Sequence, residues 1–323
     1  MNNSLFAPVA NEIALVEQTL RESADVEHPW LSEILDHIVS GGGKRLRPAL
    51  TLLGGKFHNY NLDLLVPMAS GVELLHTATL VHDDTIDNAA KRRGRPTASK
   101  LWGGGIAILA GDFLFARSAE FVARTCNLRV IRLFARTLME LCSGELEQSF
   151  SSFNRSQTRE SYFDRISKKT ASLFATATES AGILSDAPER DVQALRSYGS
   201  NLGMAFQVAD DILDYTADEE RLGKPVASDL IQGTLTLPAI VLGEKYPNDN
   251  PVAGVFDKRD GELRQQALRR TIEIVNNSDV LPECYRIAQG FADRARDAVA
   301  DFPDNPPRRA LVDIAQHSVV RHR

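Results

Sequence analysis

Six aspartates in two clusters are the side chains in this sequence most able to do chemistry. The first cluster is Asp83-Asp84-Thr85-Ile86-Asp87 and the second is Asp210-Asp211-Ile212-Leu213-Asp214. Each reads D-D-x-x-D, and each follows an apolar run with helical spacing. On a helix, residues four apart share a face, so each cluster projects two carboxylates one turn apart. Three carboxylates within five residues repel one another. They persist near neutral pH where cations neutralise them or water solvates them fully.

Basic stretches lie close by. Gly41-Gly42-Gly43 runs into Lys44-Arg45-Leu46-Arg47-Pro48. A glycine turn exposes backbone N–H groups and the cations add charge, which suits an anion. A solvated basic loop reads equally well from this stretch alone. The spacing is not that of a phosphate-binding Walker loop. Lys91-Arg92-Arg93-Gly94-Arg95-Pro96 follows the first aspartate cluster, and Gly94 and Pro96 place it in a loop. Acid and base this close could compensate one another. A phosphate ester explains the pair better, because it needs both metal ions and cations. His76 lies two helical turns before Asp83 on about the same face. Lys168-Lys169-Thr170 heads an Ala/Thr-rich helix, Gln207 stands four residues before Asp211, and Lys224 sits in a turn after the second cluster.

The elements that must position these residues are helices. Apolar periodicity predicts helices near 8–23, 30–40, 64–82, 106–124, 128–150, 159–185 and 189–217. The C-terminal third adds 261–276, 281–300 and 307–320. The small residues of 171–184 permit close helix packing or line a cavity. Residues 246–254 read as an exposed connection. No strand pattern of useful length, domain linker or repeat appears. The expectation is one all-α domain over residues 1–323, with long apolar helices around a central space.

Composition bounds the partners. The chain has 323 residues, 43% hydrophobic and 25% charged, with net charge −6. That balance does not suggest a nucleic-acid binder. Cys126, Cys142 and Cys284 are too scattered for a disulfide framework or a zinc knuckle, so they read as small buried hydrophobes in a reducing, cytoplasmic setting. The N-terminus lacks the order of a signal peptide. Apolar runs are broken by Gly, Asp or Arg before reaching the roughly 20 residues of a membrane span. A soluble protein is expected.

In order, GGGKRLRP, HDDTID with RRGRPT, GDFLFAR, KKTASLF and FQVADDILD with LGKP resemble the trans-prenyl diphosphate synthases. The likeness covers roughly residues 40–240 and rests on several ordered motifs. It implies the all-α isoprenoid synthase fold, usually a homodimer, and dependence on Mg²⁺. It also implies the reaction: an allylic diphosphate such as farnesyl or geranylgeranyl diphosphate ionises, isopentenyl diphosphate adds, and a proton is lost.

Carried over by residue, the likeness makes Asp83 and Asp87 direct Mg²⁺ ligands with Asp84 in support. Asp210 holds a third Mg²⁺, with Asp211 and Asp214 behind it. Arg92, Lys169 and Lys224 take the allylic diphosphate. Lys44, Arg47, His76 and Arg93 grip isopentenyl diphosphate, while Arg45 is structural. Thr170 and Gln207 present dipoles to the carbocation. The released diphosphate takes the proton, so no protein base is expected. One departure is Thr234, in Gly233-Thr234-Leu235-Thr236-Leu237-Pro238, where many relatives carry lysine.

Product length in such enzymes depends on the pocket under the first cluster. Ala78 and Thr79 stand five and four residues before Asp83, and Leu75 lies one turn further up. None is aromatic, so the pocket is expected to stay open for a heptaprenyl-to-decaprenyl product. Leu138, Met139 and Leu141 are candidates for its floor. The competing readings are a geranylgeranyl- or farnesyl-type short-chain synthase, a terpene cyclase, a metal-dependent phosphohydrolase, and a silent subunit or scaffold of a heteromeric synthase. A cyclase does not need the Lys44–Arg47 site. A phosphohydrolase leaves the second aspartate cluster unexplained. A silent partner would have lost metal-motif residues. No transmembrane segment is expected, though an apolar product is compatible with peripheral membrane contact at release.

Overall fold

The structure, a computed structural model, describes residues 3–216, 225–257 and 261–320. A 3₁₀ turn at Asn3–Val9 leads into α1 (Ala10–Glu22), α2 (Pro29–Val39), α3 (Leu46–Gly55) and α4 (Leu62–Ile86). A two-residue hairpin follows, β1 (Lys91–Arg92) pairing antiparallel with β2 (Arg95–Pro96). Then come α5 (Ala98–Trp102), α6 (Gly104–Ala123), α7 (Leu128–Phe150), α8 (Arg159–Ile166), a π-helical turn (Ser167–Ala171), α9 (Ser172–Leu184) and α10 (Glu189–Thr216). The chain continues through α11 (Ser228–Ile231), α12 (Leu237–Lys245), α13 (Val252–Asp257), α14 (Gly261–Asn277), α15 (Val280–Ala298) and α16 (Pro306–Val320). The fold is all-α apart from the hairpin.

Local chemistry sets several of these boundaries. The Asn61 side chain accepts from the Asp63 N–H at 3.0 Å and caps α4. Thr158 and Ser161 form a reciprocal capping box at the start of α8. Pro29 opens α2 and Pro238 lies in the first turn of α12, where a missing N–H costs nothing.

Two compact units divide the chain. The first comprises the chain up to Arg136, Leu173–Gly199 and Val299–Asp313. Its core is built on α4, which packs on α1, α3 and above all α6. Glycines make that approach close. A Cβ on Gly71 would meet Val122 Cγ2 at 2.9 Å and the Ser118 carbonyl at 3.0 Å, and one on Gly111 would strike the His82 ring. The small residues of α9 serve packing in the same way: a Cβ on Gly54 of α3 would meet Ala181 Cβ at 3.0 Å. The second unit comprises Thr137–Ser172, Ser200–Ala298 and the chain from Ile314. Its core gathers Tyr162, Ile166, Val208, Ile212, Leu237 and Val275.

Several expectations need correction. The predicted helix over 159–185 is interrupted by the π turn. Residues 252–257 are helical, and Val252 and Val255 are buried, so that stretch is not all exposed connection. Cys284 is buried as expected, but Cys126 and Cys142 are exposed; all three thiols are free. Cys126 lies in the connection between α6 and α7 with φ 51°, and Cys142 faces outward on α7. Finally, α4 is 25 residues long and apolar enough to cross a membrane by length and composition. Gly71 does not break it, and 61% of its apolar window is buried inside the protein, which is where that apolar surface is used.

Gly71→Ala should destabilise the protein by about 1–3 kcal/mol, because the added methyl overpacks the α4–α6 contact. Gly105→Ala, in the first turn of α6 with nothing within 4 Å of the new methyl, should be neutral or slightly stabilising. Denaturant melts of the two variants check this, and equal effects would remove the packing account.

Candidate active site

In the first unit, α4 carries ionisable side chains along most of its length. Its lower half bears Glu73 and His76, and its C-terminal end bears Asp83, Asp84 and Asp87. A cleft beside it is lined by Gly42, Arg45, Glu73, His76, Arg92 and Arg93, among others. The N-terminus of α3 lies just after the glycine turn, with Arg45 as its left-handed N-cap residue (φ 48°) and no acidic residue in its first turn. A helix N-terminus with cations around it favours an anion.

The cations here outnumber the carboxylates that balance them. Arg45 Nη1 donates to Glu73 Oε1 at 3.0 Å, which fixes Arg45 as a support. The Arg47 guanidinium stacks over the Phe174 ring at 4.4 Å. Burial brings the Arg47 pKa down to about 10, with Glu73 opposing and Arg93 reinforcing the shift. Burial also lowers Arg93, partly offset by Glu73. Burial first, then Arg47, Arg93, Arg92 and Arg45, push His76 well below the ordinary imidazole range. It is therefore neutral near pH 7. Lys44 is exposed.

The hairpin sets Arg92 and Arg93. Arg93 and Gly94 are its central residues, with φ 52° and 78°, the pairing of signs that a tight type I′ turn requires. His37 Nε2 donates to the Pro96 carbonyl at 2.9 Å and docks the hairpin on α2. Arg92 Nε then reaches both oxygens of Asp84 at 2.9 and 2.8 Å, and Nη2 reaches Oδ1 at 2.8 Å. Asp84 is buried beneath this fork, while Asp83 is half-buried and Asp87 exposed.

The second unit holds the other motif near the C-terminal end of α10. Asp210 is exposed, whereas Asp211 and Asp214 are buried. Asp211 accepts from the Tyr162 hydroxyl at 2.6 Å and from Gln207 Nε2 at 2.8 Å. Gln207 Oε1 in turn accepts from Thr170 Oγ1 at 2.7 Å. Burial, and then the charge of Asp229, raise the Asp211 pKa to about 8; the bonds from Tyr162 and Gln207 oppose that shift. Asp214 accepts from the Ser228 hydroxyl at 2.8 Å and the Asp229 N–H at 3.1 Å. Lys169, in the π turn, is paired with Glu145. Thr234 is half-buried, and its N–H donates to the Asp229 carbonyl at 2.8 Å. Lys224 lies outside the described residues.

The donor set fits a hard divalent cation. Neither α4 nor α10 has a basic residue in its last turn, so the carboxylates add to the negative end of each helix dipole. All donors are carboxylate oxygens, as Mg²⁺ prefers. Among the described residues no three acidic, His or Cys side chains are already gathered at metal distance.

Along α4, Ala78 and Leu75 have no exposed surface, so both are consumed by packing and neither lines open space. Thr79 keeps part of its surface. Of the floor candidates, Leu141 is buried and Met139 is 65% exposed. Glu73, Tyr162 and Ser228 were not singled out from the sequence. Glu73 had a signal, a lone carboxylate in an apolar helix one turn before His76. Tyr162 and Ser228 had none.

The neutral state of His76 has a consequence for stability. The unfolded chain takes up a proton at this imidazole below about pH 6.5 while the folded chain does not, so stability is full above that pH and lost as pH falls through it, by up to about 1.4 kcal/mol per pH unit. His76→Asn removes this component. Melts between pH 7 and 5 should therefore show a shallower loss in the variant, and parallel curves would exclude a neutral buried His76.

Residues 28–272 match the polyprenyl synthetase family. The chain is 36% identical to heptaprenyl diphosphate synthase component 2 of Geobacillus stearothermophilus, covering 97% of this chain and 96% of that protein. The crystal structure of heptaprenyl diphosphate synthase from Staphylococcus aureus superposes with a TM-score of 0.92 at 35% identity, over 97% of this chain and 98% of that one. A polyprenyl synthase from Caulobacter crescentus, complexed with calcium and isoprenyl diphosphate, gives 0.91 at 33% identity over 99% and 98%. The fold is thus the isoprenoid synthase fold of these neighbours, and the chain belongs to the polyprenyl synthetase family.

Proposed function

We propose that this chain is a long-chain trans-prenyltransferase, adding isopentenyl diphosphate to an allylic diphosphate to build an all-trans polyprenyl diphosphate. The observation that carries the reading is the cleft in which Arg45, Arg92, Arg93 and Arg95 outnumber the two carboxylates, Glu73 and Asp84, beside a neutral His76. Such an excess of cation calls for a multiply charged anion, and a diphosphate supplies it. The heptaprenyl synthases among the relatives support the long product.

Lys44, Arg47, His76 and Arg93 bind the isopentenyl diphosphate. His76 acts as a neutral hydrogen-bonding group there. Arg92, Lys169 and Lys224 take the allylic diphosphate, which competes with Asp84 for Arg92 and with Glu145 for Lys169. Asp83, Asp87 and Asp210 would hold Mg²⁺, with Asp84, Asp211 and Asp214 fixing the helix ends behind them. When bound, Mg²⁺ supplies Lewis-acid stabilisation of the charge that grows on the leaving diphosphate. Thr170 and Gln207 present fixed dipoles to the developing allylic cation. Two copies of the chain assemble, a reading supported by Leu109 on α6, 69% exposed and without cover in the single chain. The chain acts in the cytoplasm, in keeping with its three free thiols.

Purified chain with Mg²⁺, labelled isopentenyl diphosphate and farnesyl or geranylgeranyl diphosphate should yield polyprenyl diphosphates of heptaprenyl to decaprenyl length. No incorporation by the chain alone would overturn the self-sufficient synthase. Asp83→Ala and Asp210→Ala should each cut turnover by at least about a hundredfold with the melting curve retained; near-normal turnover removes the metal roles.

Thr79→Tyr, and Ala78→Tyr where packing tolerates it, should shorten the product. An unchanged product distribution in Thr79→Tyr places the length-setting wall elsewhere.

A further inference from the structure

Tyr162 lies eight residues before Thr170, on α8, and has no exposed surface. Both side chains reach the same helix, α10, one turn apart: Tyr162 at Asp211 and Thr170 at Gln207. Three hydrogen bonds run in series, from Tyr162 to Asp211 at 2.6 Å, from Gln207 to Asp211 at 2.8 Å, and from Thr170 to Gln207 at 2.7 Å. The series fixes which end of the Gln207 amide points where. Its NH₂ faces Oδ1 of Asp211 and its carbonyl faces the Thr170 hydroxyl. The reversed amide would set a carbonyl against the carboxylate.

The element bearing Tyr162 is itself held rigidly. The Thr158–Ser161 box caps α8, and Arg165 donates to the Leu235 carbonyl at 2.6 Å and to Gln157 Oε1 at 2.5 Å. The Tyr162 ring packs at 5.3 Å from Phe163. Burial, and then the adjacent Asp211, keep its hydroxyl protonated, so it can donate to Asp211 Oδ2.

We propose that Tyr162 is a positioning residue for prenyl transfer: by saturating the far oxygen of Asp211, it locks the Gln207 amide in the orientation that the reacting carbon meets. This rests on the reading of Gln207 as a group facing the allylic cation. Without the hydroxyl, Asp211 loses the bond that holds its Oδ2, and its carboxyl group is free to turn. The Gln207 amide, which bonds Oδ1 of the same group, then loses its fixed orientation.

Tyr162→Phe keeps the ring and removes only the donor. Two measurements test the idea. The first needs no turnover: in glutamine-selective ¹⁵N spectra, the Gln207 side-chain amide signal, assigned by its loss in Gln207→Leu, should move in Tyr162→Phe. An unmoved signal breaks the link. The second is kinetic. Tyr162→Phe should lower kcat roughly tenfold with KM for isopentenyl diphosphate unchanged, about the effect of one hydrogen bond to a charged group. In the Gln207→Leu background the same change should cost less than about twofold, because the two residues act in one series. Equal losses in both backgrounds, or a loss confined to KM, would overturn the positioning role. Wild-type turnover tests the prenyl-transfer reading separately, since the spectral shift stands or falls without it.

Discussion

Crowding three carboxylates at the C-terminal end of a helix is electrostatically unfavourable, and this chain does it twice, on α4 in the first unit and on α10 in the second. A helix C-terminus already carries partial negative charge. The protein buries three of the six and keeps the other three at least partly accessible. Asp84 takes the Arg92 fork, Asp211 takes Tyr162 and Gln207, and Asp214 takes Ser228 and a backbone N–H. Asp83 stays half-buried, and Asp87 and Asp210 stay exposed. The repeated D-D-x-x-D pattern therefore conceals a division of labour. Asp84, Asp211 and Asp214 are buried against donors, and Asp83, Asp87 and Asp210 keep accessible surface.

The cationic side shows the mirror image. Arg45 and Arg47 at the start of α3, Arg93 in the hairpin turn and His76 on α4 converge near one buried carboxylate, Glu73. Burial first, and then the neighbouring cations, depress the basicity of Arg47 and His76. Glu73 and Asp84 ride on one helix eleven residues apart, roughly 16 Å along its axis. A bend in α4 would alter that separation. The tight packing of Gly71 on α6 and of His82 on Gly111 is the fold's means of preventing it.

What could be read from the sequence was what is local. The helices of 128–150 and 189–217 were visible because apolar residues recur along them, and Gln207 with Asp211 because both sit on one helix. The basic group after the first motif was visible as charge, but not as a hairpin: two positive φ values at Arg93 and Gly94 make that turn, and an arginine gives little notice of it. Tyr162, 49 residues from Asp211, was invisible because tertiary packing alone brings them together. The π turn at Ser167–Ala171 was likewise hidden, since its residues fit an α-helical pattern and only the extra residue per turn re-aims Lys169 and Thr170. Ala78 shows the limit in the other direction. Its small size signalled space, and packing had already used that space.

Threonine on α4 reconciles a polar residue type with an apolar wall. Thr77 Oγ1 donates to the Glu73 carbonyl at 2.8 Å, and Thr79 Oγ1 to the His76 carbonyl at 2.8 Å. With each hydroxyl returned to its own helix, the hydrogen-bonding need is met locally. The group each threonine has left to offer is a methyl. Thr79 is thus short, β-branched and apolar in effect, and it keeps accessible surface one turn before Asp83. A wall made this way is smooth to a hydrocarbon chain and narrower than one made by alanine. It also resists collapse, because β-branching leaves χ1 few alternatives on a helix. Thr77 and Thr79 are thus both partly accessible side chains of this stretch whose hydroxyls are fixed by a bond to the backbone.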